Sequence, residues 1–136
     1  MSSYEINKRI EAIAQTLDIV DILSKYPYEM SGGQKQRVAS ARAIITNPEL
    51  VLADEPTGAL DSKSAKMLLE KLDELNVKFG TTIMMVTHDA FSASYANRVV
   101  FVKDGKLFCE IYKNMKSRKQ MFDEIIEVTS VIGENI

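Results

Sequence analysis

The sequence predicts an α/β fold: a mainly parallel sheet flanked by helices, followed by a hairpin and a terminal helix. Three observations carry this. Apolar residues recur at three- and four-residue steps in several long segments, and two short, continuously apolar runs, "LVLAD" and "TTIMMVT", lie between them. Near the end of the chain, Asp104-Gly105 divides two alternating segments, a strong hairpin signal. Strands that alternate with helices imply parallel pairing, and such sheets gather their ligands at the carboxyl ends of the strands.

Taken in order, Ile6, Ile10, Ile13, Leu17 and Val20 predict an amphipathic helix over residues 3–23, with Ser2 and Glu5 spaced as a capping box. It stops before Pro27. A second capping box, Ser31 with Gln34, opens a helix through Val38, Ala41 and Ile45, which Asn47-Pro48 ends because proline disfavours helix in the residue before it. "LVLAD" is too short for a helix and is expected as a strand covered on both faces. Ala65, Leu68, Leu69, Leu72 and Leu75 mark a third helix, closed by Gly80 as a left-handed cap. "TTIMMVT" is a second buried-type strand finishing at His88, and a short helix over residues 89–96 leads to the hairpin "RVVFVKDGKLFCEI". A polar, basic stretch at residues 114–119 is the one soft joint. Beyond it Met121, Ile125, Val128 and Ile132 predict the terminal helix.

At 136 residues and 46% hydrophobic, the chain fits one domain with a single core. Its 17 basic and 19 acidic residues leave a net charge of −2, which gives no support to nucleic-acid or anionic-lipid binding. The single cysteine, Cys109, sits in an alternating apolar segment, which excludes an internal disulfide framework and makes the cytosol the default compartment. No apolar run approaches the ~18 residues of a membrane span, so a membrane part is expected to be another chain.

Two strand ends carry candidate chemistry. Asp54 and Glu55 close the first, and an acid there can hold Mg²⁺ while its neighbour accepts a proton from attacking water. Successive strand residues point to opposite faces, so Asp54 is the metal candidate and Glu55 the base candidate. A solvated acid pair before a proline turn is the plainer alternative. Gly32 and Gly33, after Ser31, let an anion approach unpaired N–H groups at a helix start, although an ordinary cap explains the same residues and Gln34 can serve that cap alone. His88, the only histidine, is either structural or a hydrogen-bond donor to a terminal phosphate. Asp61 fits the cap of the helix beginning near Ser62, and Met84 and Met85 read as core filler.

In joint order, "MSGGQKQR", "LVLADEP", "TGALD" and "VTHD" resemble the signature, Walker B, D-loop and H-loop motifs of ATP-binding cassette (ABC) transporter ATPases, from the first helix to about Ile111. The resemblance implies a partial P-loop NTPase fold using ATP and Mg²⁺. By position it assigns Asp54 to Mg²⁺, Glu55 to activating water, His88 to the γ-phosphate and Asp61 to the loop coupling two sites. It also implies that Ser31, Gly32, Gly33 and Gln34 act in trans, on ATP held by a second nucleotide-binding domain of a head-to-tail dimer. "ADEPTGALD" and the terminal helical pattern look most like the branch serving peptide-antibiotic export and lipoprotein release.

None of the six glycines starts the Gly-x-x-x-x-Gly-Lys-[Ser/Thr] loop that grips nucleotide phosphates. Residues 1–112 therefore resemble the C-terminal part of a nucleotide-binding domain, and residues 113–136 a helical extension. The expected partners are a transmembrane permease, which would hold the chain at the inner face of the cell membrane, and a second nucleotide-binding domain. The chain alone is expected to lack efficient ATP binding and hydrolysis, with an apolar edge exposed beside "TTIMMVT". The alternative is a non-catalytic module lending its signature helix to a partner ATPase. The heads of chromosome-organising ATPases fit less well, since they follow long heptad arrays and no sustained heptads occur.

Overall fold

In the computed structural model, which describes residues 1–134, the first helix, α1, spans Ser3–Thr16. Ser2 caps it: its hydroxyl accepts from the Glu5 N–H, and the Glu5 carboxylate accepts from the Ser2 N–H. α1 stops well short of residue 23. Asp18 takes a left-handed backbone (φ 56°), and the N–H groups of Asp18 and Ile19 fold back to the carbonyls of Gln15 and Ala14. These are the two bonds of a Schellman motif, with aspartate in the place glycine usually holds. The turn moves burial from Val20, which is exposed, to Ile19 and Ile22, the latter in a short 3₁₀ turn at Val20–Ile22.

Helix α2 spans Gly32–Ile44, β1 spans Leu50–Asp54, α3 spans Ser62–Phe79 and β2 spans Thr82–Val86. α3 ends at Gly80, which is left-handed (φ 65°). β1 and β2 pair in parallel, with Leu50 opposite Thr82 and Asp54 opposite Val86, so both strands end at one rim. Ile13, Leu17, Ile22, Ile44, Val51, Leu68 and Leu75 form the core that α1, α2 and α3 build over one face of this pair. The Arg9 guanidinium fastens α1 to the end of α2 by donating to the carbonyls of Ile44 (3.1 Å) and Ile45 (2.7 Å). These elements belong to one compact unit, Met1–Val86.

The expectation of strands covered on both faces is overturned. Leu50, Leu52, Met84 and Val86, which share a face by the register, are 49%, 67%, 51% and 56% exposed. Within this unit α1, α2 and α3 pack on the Val51 side, and a continuously apolar run reports what a strand can bury rather than what covers it.

The second unit begins at Thr87. Its short helix α4 covers only Ala90–Ala93, narrower than residues 89–96, because Asp89 is its cap and beyond Ser94 the N–H groups of Tyr95 and Ala96 bond only three residues back, to Ser92 and Ala93, so the chain goes on as turns. β3 (Arg98–Lys103) and β4 (Lys106–Tyr112) form the hairpin, and its two-residue turn has positive φ at Asp104 and Gly105 (51° and 74°), as a type I′ turn requires. Helix α5 (Arg118–Glu134) closes this core through Met121 and Ile125 against Ile111. Arg118 lies over the rings of Phe91 (5.1 Å) and Tyr95 (4.7 Å), tying the start of α5 to α4.

Candidate functional site: two helix tips and an acid-ended strand

Ser31 is the N-cap of α2. Its hydroxyl accepts from the Gln34 N–H at 3.2 Å, and the Gln34 side-chain oxygen accepts from the Ser31 N–H at 2.9 Å. Gln34 is thus committed to the cap. Gly32 and Gly33 are the first two helical residues, and their N–H groups have no acceptor among the described residues, as helix geometry dictates. The tip therefore offers the positive end of a helix dipole to an anion.

Asp61 caps α3, accepting from the Ser64 N–H at 3.2 Å. Hydrogen bonding from Ser64 holds its carboxyl below the usual carboxylate range, so it is charged at neutral pH. The two tips adjoin: a β-carbon added at Gly33 would meet Ser64 Cβ at 3.2 Å and Oγ at 3.3 Å, and one at Gly32 would meet Leu60 Cδ2 at 3.4 Å. A side chain at position 33 would press against α3, and Ser64 would have to give by a few tenths of an ångström to admit it.

Asp54 ends β1 and is exposed; Glu55 follows, half-buried, with a left-handed backbone at φ 44°. That conformation is uncommon for a non-glycine residue, and it is held by the Glu55 N–H donating to the Val86 carbonyl at 2.8 Å. Reversed turns from Glu55 to Gly58 and from Thr57 to Leu60 then carry the chain to Asp61. The first unit thus gathers Ser31, Gly32, Gly33, Gln34 and Asp61 at adjoining helix tips and sets Asp54 and Glu55 at a strand end. His88 is exposed, in the second unit, beside Asp89. Partial burial raises the Asp89 carboxyl, but bonds from the Ser92 hydroxyl and the N–H groups of Ser92 and Phe91 outweigh that and hold it below the ordinary range.

The described residues include no cluster of three or more His, Cys, Asp or Glu able to cage a metal. Mg²⁺ is commonly held by one or two carboxylates together with substrate phosphates, and the exposed carboxylate of Asp54 at the end of β1 is a donor of that kind. Sequence reasoning missed Arg37, a buried arginine beneath the two tips. The signal was present: Gly33, Arg37, Ala41 and Ile44 share a helical stripe that is otherwise small or apolar.

A parallel strand pair ending in acid, with capped helix N-termini beside it, is an α/β arrangement of the kind P-loop NTPases use. Comparison with known proteins names the family. The model for "ABC transporter" matches residues 2–58. The bacitracin export ATP-binding protein BceA of Halalkalibacterium halodurans is 50% identical over 127 residues, covering 93% of this chain and 50% of that protein. The dimeric structure of MJ0796, a bacterial ABC transporter cassette, matches with TM-score 0.65 and 40% identity, over 82% of this chain and 49% of that one. The structure of cbiO1 from Clostridium perfringens, part of the ABC transporter complex cbiONQ, matches with TM-score 0.79 and 28% identity, over 96% and 51%. The chain belongs to the ABC transporter family, in its ATP-binding cassette. It spans about half the length of the curated relatives it matches.

Proposed function

We propose that this chain is the C-terminal part of the ATP-binding subunit of an exporter, and that its working element is the Ser31 helix tip, presented in trans to ATP held by a second nucleotide-binding domain. Residues 1–112 supply the cassette portion and residues 113–136 a helical extension. The observation that carries the reading is the adjoining of the Ser31 and Asp61 tips, an anion-accepting N-terminus next to a fixed carboxylate.

In this reading Ser31 Oγ and the N–H groups of Gly32 and Gly33 receive terminal phosphate oxygens, stabilising charge that spreads in the transition state. Glu55 accepts the proton of the attacking water, and His88 donates a hydrogen bond to the γ-phosphate. Asp54 would hold Mg²⁺, which when bound neutralises phosphate charge. Asp61 relays between two sites through the backbone it caps. Because no phosphate-gripping lysine loop occurs in the sequence, the chain alone turns over ATP inefficiently.

The substrate class is a peptide or lipid-linked molecule; the relative BceA, named for bacitracin export, supports the peptide. A permease holds the chain at the cytoplasmic face of the membrane; among the described residues no helix is long and apolar enough to cross one itself.

The test is complementation. The purified chain is added to an intact relative whose own signature serine is changed to alanine. Restored ATP turnover that saturates with added chain supports trans donation. Binding without restored turnover favours the interaction-module reading, and turnover by the chain alone at the rate of an intact enzyme refutes the assignment.

A further inference from the structure

Arg37 is 8% exposed, yet among the described residues no carboxylate lies within ion-pair distance of it. Its Nη1 donates to Met67 Sδ at 3.1 Å, a weak acceptor, and its buried Nε has no hydrogen-bond partner. A guanidinium buried this way is a poor choice for stability, since an apolar side chain would fill the same space without losing hydration.

Its position suggests another purpose. Arg37 lies one turn along α2 from Gly33, and Met67 one turn along α3 from Ser64. The upper contact between the helices is Gly33 against Ser64, and the lower is Arg37 against Met67, with Arg37 Nη1 only 3.6 Å from where a β-carbon at Gly33 would stand. The planar head is therefore a spacer between two helices directly beneath the Ser31 and Asp61 tips.

We infer that Arg37 is a positioning residue that fixes the separation of the two tips, so that the phosphate-facing end of α2 and the Asp61 cap of α3 move as one body. The functional half of this inference rests on the trans-donor reading; the mechanical half does not. In neither half does Arg37 touch the nucleotide. Its planar fork resists collapse as a flexible apolar chain cannot.

The experiment compares the full chain with Arg37→Met and Arg37→Lys. Amide hydrogen exchange is read at Gln34 and Lys35 and at Ser64 and Ala65, whose N–H groups are bonded to Ser31 and Asp61, and kcat and KM for ATP are measured in the complementation assay. For Arg37→Met the unfolding midpoint is expected unchanged or raised, while exchange at both tips accelerates together by about tenfold and α1 stays as in the parent. In complementation kcat falls about tenfold with KM for ATP unchanged, the pattern of lost transition-state placement. Arg37→Lys, which keeps charge and reach without the fork, gives intermediate values in both assays. The inference is overturned if the tips exchange as in the parent, if only one loosens, or if kcat falls only in proportion to the folded fraction. Should Arg37→Met fail to fold, Arg37→Lys decides: paired loosening supports the spacer, and unchanged exchange overturns it. If the parent chain restores no turnover at all, the trans-donor reading fails while the exchange data still judge Arg37.

Discussion

Two adjacent glycines give the sharpest test of the packed tips, because Gly32→Ala and Gly33→Ala are chemically identical changes with opposite expected signs. Alanine is favoured over glycine inside a helix by ~1 kcal/mol, a gain reduced near the first turn. At Gly32 the new methyl meets only Leu60 Cδ2 at 3.4 Å, ordinary contact with the end of a flexible side chain. Gly32→Ala should therefore be neutral or stabilise by up to ~1 kcal/mol. At Gly33 the methyl meets Ser64 Cβ at 3.2 Å, an atom fixed to the backbone of α3, and Oγ at 3.3 Å. Overpacking of this kind costs ~1–3 kcal/mol, which exceeds the propensity gain and leaves a net loss of about 1 kcal/mol. In urea, with m of ~1–3 kcal/mol/M, the Gly33→Ala midpoint should drop by roughly 0.3–1 M, read by far-ultraviolet circular dichroism at 25 °C. Adding Ser64→Gly should recover much of it, with a favourable coupling of ~1–2 kcal/mol in the double-mutant cycle. If Gly33→Ala is as stable as Gly32→Ala, the close approach of α2 and α3 is wrong. Gly33→Ala should also weaken trans donation, because relieving the contact with Ser64 displaces the α2 tip from α3.

Further outcomes follow from other contacts. Ser31→Ala removes the hydroxyl bonded to the Gln34 N–H and should cost ~1 kcal/mol by urea melt, a loss that Ser31→Asp largely avoids. Leu75→Ala, at a fully buried core position, should cost ~2–5 kcal/mol, whereas Leu52→Ser on the open sheet face should change stability by less than ~0.5 kcal/mol. Because the Asp61 and Asp89 carboxyls are held low in the folded chain, their caps stabilise fully above the ordinary carboxylate pKa of ~3.9 and fade as pH falls through the folded value. Amide exchange at Ser64 and Ser92 in Asp61→Asn and Asp89→Asn should differ from the parent at neutral pH and converge with it once the pH falls below the lowered carboxyl values of the folded chain.

Local signals were legible where one chemical group decides the geometry. The Ser2–Glu5 and Ser31–Gln34 boxes, the Gly80 cap and the Asp104-Gly105 turn each depend on a few atoms, and the structure realises all of them. The first helix was misjudged because Leu17 and Val20 continue its apolar spacing, while the stop signal is an aspartate, Asp18, in a left-handed backbone more commonly taken by glycine. Arg37 escaped notice although it stands in a small and apolar helical stripe, because charged residues are ordinarily read as solvated. His88 was placed by its position at a strand end beside Asp89 and by motif order.

The open sheet face links these lessons to the proposed function. Parallel strands are stable when both faces and both edges are covered, and here β1 and β2 form only a two-stranded pair with Leu50, Leu52, Met84 and Val86 exposed. Burying those four side chains would gain roughly 1.5–3 kcal/mol each at full coverage, less the part already buried. The total is of the same order as the net stability of a typical domain. The face that completes the sheet therefore also governs how firmly Asp54 and Glu55 are held at the end of β1. A covering segment that carried a phosphate-binding loop would stabilise the strand pair and complete the nucleotide site in a single association. ATP affinity and resistance to unfolding should accordingly rise together when such a segment is added, and a rise in one without the other would show that the strand pair and the acid rim are energetically separate.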